Sequence, residues 1–155
     1  MIGMRRADEA GQGMVEFALV LPVMVLLMIG LIDIGRAVFG YNTIANASRE
    51  SARVAIVNQT SVDVMAEALK QSVSLGLTAA DVAIAYGHPS GSGTCGTPIG
   101  VGCLATVSVT YQYQPATPLI GQIIGPITMS AATQMPVERT CPDPATPALV
   151  TCPWP

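Results

Sequence analysis

A chain of 155 residues that is half hydrophobic and only 11% charged departs from an ordinary soluble domain, which carries roughly 25% charged residues. The length bounds the answer to one domain with attachments. The net charge of −3, with no basic run or basic–aromatic interleaving after the apolar segment, gives nucleic-acid binding little support.

Residues 1–11 read as a short polar leader that carries Arg5 and Arg6. Residues 12–57 then read as one long helix. From Phe17 to Ile32 no residue is charged, and the apolar character runs on past Asp33 and Arg36 to Phe39. A membrane-spanning part over about residues 14–40 follows, since about twenty apolar residues in a helix cross a hydrocarbon core of about 30 Å. The order of basic residues and apolar run is that of a signal peptide, but the run exceeds the usual core of about 7–15 residues and no Ala-x-Ala-like site follows it. A retained anchor is therefore expected. Arg5 and Arg6 keep the N-terminus cytoplasmic and place the rest of the chain outside. Pro22 removes one backbone hydrogen bond and is expected to kink the helix, which membrane helices tolerate.

Asp33 and Arg36 stand one turn apart. A helical rise of about 1.5 Å per residue puts Asp33 about 30 Å beyond Gly13, which favours the outer interface among headgroups over an ion pair inside the bilayer. Tyr41 suits the same interfacial belt. From Asn42 the helix becomes amphipathic. Ile44, Ala45, Ser48, Ala52, Ala55 and Ile56 fall near one small-residue face, with Arg49, Glu50 and Arg53 elsewhere. That face packs on the chain's own sheet, on neighbouring subunits, or on each at different depths.

Residues 58–138 read as an extracytoplasmic α+β domain. Asn58–Ser61 breaks the long helix, and Ser61 is expected to cap a second one with Val62, Met65, Ala66, Leu69 and Val73 as its apolar stripe. Asp81–Gly87 alternates as a strand, Cys103–Gln114 as another and Ile127–Glu138 as a third. Gly- and Ser-rich residues link the first two strands, and Leu119–Ile124 can form a short helix between prolines. A long helix, a second helix and a small antiparallel sheet make an α+β fold. Residues 139–155 form a Pro-rich tail.

The cysteines, Cys95, Cys103, Cys141 and Cys152, contain no CxxC pair and no common zinc spacing. Beyond a membrane span they fit disulfides in an oxidising compartment. Nearest neighbours give Cys95–Cys103 and Cys141–Cys152, one of three possible connectivities. His88, the only histidine, precedes Pro89 in a loop and has no orienting partner. The glycines between Gly91 and Gly102 precede no helix, so they do not cradle phosphate. No catalytic, cofactor or metal residue is assigned.

Glu16 lies at the start of the apolar run, where a bare carboxylate is costly in lipid. A cut after Gly11 makes Gln12 a new N-terminus four residues before Glu16. Its α-amine is positively charged near neutral pH, and a helix N-terminus also favours a carboxylate. Glu16 is thereby compensated by its own amine or a neighbour's.

Gly11, Glu16 and Phe17 in "GQGMVEF", followed at once by the apolar helix, resemble the processing site of type IV-like prepilins. More closely, "GQGMVEFALVLPVMVLLMIGLIDIGRAVFGYNTIANASRESARVA" resembles the TadE-like family of the tight-adherence (Tad, Flp) pilus system, and "VTYQYQPATPLIGQIIGPITMSAATQMPVE" resembles its C-terminal part. The resemblance implies a pilin-like minor pilin (pseudopilin), cut by a prepilin peptidase between Gly11 and Gln12. Glu16, with Phe17, then sets register against a neighbour's amine. Implied partners are the peptidase, other pilins and minor pilins, the inner-membrane assembly platform and the lipid bilayer. The subunit sits in the bacterial inner membrane and passes to a surface pilus. The Cys95–Cys103 loop and the tail after Glu138 are additions that the resemblance does not explain. The alternative from another class is a membrane-anchored extracytoplasmic binding module that never enters a fibre.

Overall fold

The structure, a computed structural model, describes residues 5–91, 93–96, 99–117, 121–122 and 125–140, with residues 5–10 described by backbone alone. Helix α1 (Arg5–Ala55) is 51 residues long and runs through Pro22 as one helix. Helix α2 (Ser61–Gln71) and 3₁₀ turns at Val73–Leu75 and Ala79–Asp81 lead into a three-stranded antiparallel sheet, β1 (Val82–Gly87), β2 (Leu104–Tyr113) and β3 (Ile127–Pro136), in the order β1-β2-β3. The α+β class expected from the sequence is the one observed. The helix starts earlier than Gln12 and ends at Ala55, short of Val57.

The chain divides into two compact units. One is α1 as far as Ala37 together with Gln114–Pro126; the other is Val38–Tyr113 with the residues from Ile127 onward.

In the second unit, strand alternation decides what is buried. Ala105, Val107 and Val109 of β2 are fully buried, with Val82 and Ala131 beside Val109 in the paired register. The part of α1 from Val38 lays its small residues on this face. Ile44, Ala47, Ser48, Ser51, Ala52 and Ala55 are buried, and the Ser48 and Thr133 hydroxyls share a 2.9 Å hydrogen bond. Ala45 and Ile56, expected on this face, are only half-buried, while Ala47, Ser51 and Val54 take the better-covered places. Gly40 marks the closest approach: a Cβ there meets Tyr111 Cε1 at 3.1 Å and the Met129 methyl at 3.4 Å. Buried serines cost little here because their hydroxyls bond back to the helix, Ser51 to the Ala47 carbonyl at 2.6 Å and Ser48 to that of Ala45 at 3.0 Å. The opposite sheet face is uncharged. It carries Thr106, Ser108, Thr128, Ser130 and Gln134, with Gln134 Nε2 donating to Thr106 Oγ1 at 3.1 Å.

The corner between the helices is built by Asn58, not by Ser61. Asn58 is fully buried; its Oδ1 accepts the Thr60 amide at 2.9 Å and its Nδ2 donates to Asp63 Oδ2 at 2.8 Å. The N-cap of α2 is accordingly Thr60, in an extended conformation, with Ser61 the first helical residue. The expected stripe of α2 also needs correction. Val64, Glu67 and Ala68 are its buried residues and Met65 and Leu69 are half-buried, whereas Val62 and Val73 are exposed at 70% and 77%. The physical reason is that Glu67 brings its own partners. Gln71 Nε2 donates to it at 2.7 Å and Lys70 Nζ lies 3.2 Å away, which holds its carboxyl below the usual carboxylate range despite burial.

The connection between β1 and β2 is divided in two. Gly87 bridges Thr94, and the Cys95 and Cys103 sulfurs are bonded at 2.04 Å. Cys141, Cys152 and most of the expected Leu119–Ile124 helix lie outside the described residues. Within that segment, Gly121 N–H donates to the Thr117 carbonyl at 2.9 Å and Gly125 N–H to that of Gly121 at 3.1 Å.

Candidate functional site: an exposed apolar helix and a clasped carboxylate

Two features of the first unit carry chemistry beyond packing. The first is the apolar surface of α1. Its most apolar 18-residue stretch has a mean hydropathy of 2.7 and is 6% buried. Leu19, Leu27 and Leu31 are each about 70% exposed. A helix this long and apolar can cross a membrane, and this one keeps its apolar side chains outside the protein's own core. Gly11, Gln12, Glu16 and Phe17 stand near its start, all exposed, and the 11–12 peptide bond is helical. Among the described residues Glu16 has no ion-pair partner.

The second feature is Asp33. It lies among exposed apolar neighbours (Leu31, Ile32 and Ile34), yet is only 6% exposed. Its Oδ1 accepts the Ala116 amide at 2.8 Å; its Oδ2 accepts the Thr117 amide at 2.8 Å and the Thr117 hydroxyl at 2.5 Å. Thr117 is itself 3% exposed. Arg36 Nη1 stands 3.9 Å from Oδ1, and its side chain is 54% exposed. A pair that long and open contributes little, whereas backbone and hydroxyl donors on a buried carboxylate are charge-assisted and strong. The sequence left Asp33 between headgroups and an ion pair with Arg36. The structure instead gives it partners from Gln114–Pro126. Thr117 carried no sequence signal of its own; the one clue was a carboxylate without an obvious partner near the end of an apolar run.

The remaining candidates are placed plainly. Cys95 and Cys103 form their disulfide where Cys95 N–H donates to the Tyr86 carbonyl at 3.0 Å. His88 is exposed. A charged cleft of about 260 Å³ between α1 and α2 is lined by Glu50, Arg53, Val54, Val57, Glu67 and Lys70; its charges pair with one another, Arg53 with Glu50 and Lys70 with Glu67, both at 3.2 Å. Tyr86 points its hydroxyl inward without a hydrogen-bond partner among the described residues, and burial pushes its pKa up to about 12.

Residues 11–53 match the family model described as TadE-like protein. The match covers the exposed apolar helix, Asp33 and most of the small-residue face of α1. No curated protein and no solved structure matches the chain.

Proposed function

We propose that this TadE-like chain is a minor pilin (pseudopilin) of a Tad-type adhesive pilus, a structural subunit that works in assembly and carries out no catalysis. The observation that carries the reading is the coincidence at Gly11. The family match begins there, and an apolar, outward-facing helix follows directly. A prepilin peptidase cuts between Gly11 and Gln12. The new α-amine then carries a positive charge that compensates the Glu16 carboxylate of the same subunit or of the next. The apolar helix holds the subunit in the inner membrane, with the N-terminus cytoplasmic and the sheet outside; the Cys95–Cys103 disulfide supports an oxidising compartment for that part. In the assembled fibre the same apolar surface packs against other pilins.

Mass spectrometry of the chain recovered from cells with an active prepilin peptidase tests the processing. A mature chain beginning at Gln12 is expected, and Gly11→Trp is expected to keep the leader. A native chain still carrying residues 1–11 overturns it. Piliation of a strain lacking the chain tests the role: loss of pili is expected, and a full complement of pili overturns it.

A further inference from the structure

The Asp33 cluster asks why a carboxylate, two backbone amides and a hydroxyl from a distant segment meet beside an apolar helix. In water none of these groups needs the others. Asp33 would be hydrated, and so would the amides of Ala116 and Thr117. In a low-dielectric setting each is costly alone: an ion without donors, and N–H groups without acceptors. Their pairing removes both costs at once.

Two further observations locate that setting. The apolar exposed surface of α1 does not stop at Asp33 but continues through Ile34, Val38 and Phe39, each more than half exposed. And Gln114–Pro126 forms one compact unit with α1 as far as Ala37. Its sequence, "QPATPLIGQIIGP", contains no charged residue and carries one leucine and three isoleucines. Its described backbone is internally paired where Gly121 and Gly125 donate to Thr117 and Gly121. An uncharged segment whose described amides at Gly121 and Gly125 are paired within it, and whose Ala116 and Thr117 amides are taken up by Asp33, is suited to contact lipid.

We propose that Gln114–Pro126 is a second membrane-contacting segment, held by the Asp33–Thr117 clasp at the outer bilayer interface beside α1. The partner is lipid itself. The inference rests on the reading that α1 spans the bilayer, and it makes Asp33 the positioning residue for a segment remote in sequence. The subunit then meets the outer leaflet with two pieces of chain, and the clasp sets the depth of the second.

The test uses the full chain, with Trp154→Phe as background, reconstituted in nanodiscs of phosphatidylethanolamine and phosphatidylglycerol. A single tryptophan reports position: Gln122→Trp in the segment, or Leu27→Trp in the span. Both Gln122 and Leu27 are exposed, so neither substitution fills a packed site. Both probes are expected to show blue-shifted emission, quenching by brominated acyl chains and protection from aqueous iodide. Adding Asp33→Ala is expected to open the Gln122→Trp probe to iodide and leave Leu27→Trp unchanged. If iodide quenches Gln122→Trp while brominated lipid quenches only Leu27→Trp, the inference fails and the span stands. If Leu27→Trp is also open to iodide, both fail. Lipid quenching of Gln122→Trp that survives Asp33→Ala overturns the role of the clasp.

Discussion

Asp33 and Thr117, separated by 84 residues of sequence, are joined through both the amide and the hydroxyl of Thr117 on one carboxylate oxygen. Removing the hydroxyl alone is a graded test. Thr117→Val keeps shape and loses one charge-assisted hydrogen bond, a cost of about 1.5–3 kcal/mol. Because about 1.4 kcal/mol is tenfold, amide exchange at Ala116 in detergent-solubilised protein is expected to quicken by about 10- to 100-fold through local opening. Unchanged exchange would show that the hydroxyl adds nothing.

Gly40 is held to glycine by contact rather than by backbone angle. A Cβ already meets Tyr111 at 3.1 Å, so Gly40→Leu is expected to destabilise the sheet unit by about 1–3 kcal/mol. Gly40→Leu combined with Tyr111→Ala should recover part of that loss. Chemical unfolding followed by circular dichroism measures both, and equal losses in the single and double variants would refute the steric account.

Glu67 makes the domain acid-sensitive in a defined direction. Its folded-state pKa lies below the ordinary value of 4.5. It therefore contributes stability at pH above 4.5, which is lost as pH falls through the lowered folded value. Glu67→Gln should flatten the decline in stability between neutral and acid pH. A variant that loses stability with acid as steeply as the parent would exclude Glu67 as a source.

Tyr86 acts at the other end of the scale. Its folded pKa near 12 exceeds the ordinary 10.0, so the neutral phenol is favoured by folding and stability falls as pH rises from 10 to 12. Tyr86→Phe removes that loss together with an unpartnered hydroxyl, and should be neutral to stabilising by up to about 1 kcal/mol at pH 7. Destabilisation of that size would mean that the hydroxyl has a partner in solution.

Removing the Cys95–Cys103 bridge by serine at both positions is expected to cost about 2–4 kcal/mol, read as a shift in the urea midpoint. A shift of zero would place the closure entirely on the Gly87–Thr94 bridge.

Local patterns carried most of the fold into the sequence. β2 alternates cleanly because one face is buried and the other is only partly covered, and α1 declares itself by an apolar run long enough to cross a membrane. Three of the misreadings turn on a polar side chain whose partner the sequence did not point to. Thr60 took the N-cap position assigned to Ser61, at a corner that Asn58 holds because its side-chain amide reaches Thr60 and Asp63 together. Glu67 occupied a buried position of α2 because Gln71 and Lys70 sit four and three residues on. Asp33 was conspicuous and its partner was not, since Ala116 and Thr117 bind it largely through backbone amides, which every residue type has. Gly11 and Glu16 drew the processing and register reading for a different reason: both lie in the short stretch "GQGMVEF" at the head of the apolar run.

The divided link between β1 and β2 has a consequence for how this protein can vary. With Gly87 bridged to Thr94 and Cys95 bonded to Cys103, added residues between the two cysteines enlarge one closed ring and leave the β1–β2 register where it is. Lengthening a flexible ring costs only about 0.6 kcal/mol per doubling. The ring is thus the natural place for lineages to diverge in length and sequence, and for an experimenter to insert an epitope without disturbing the strands.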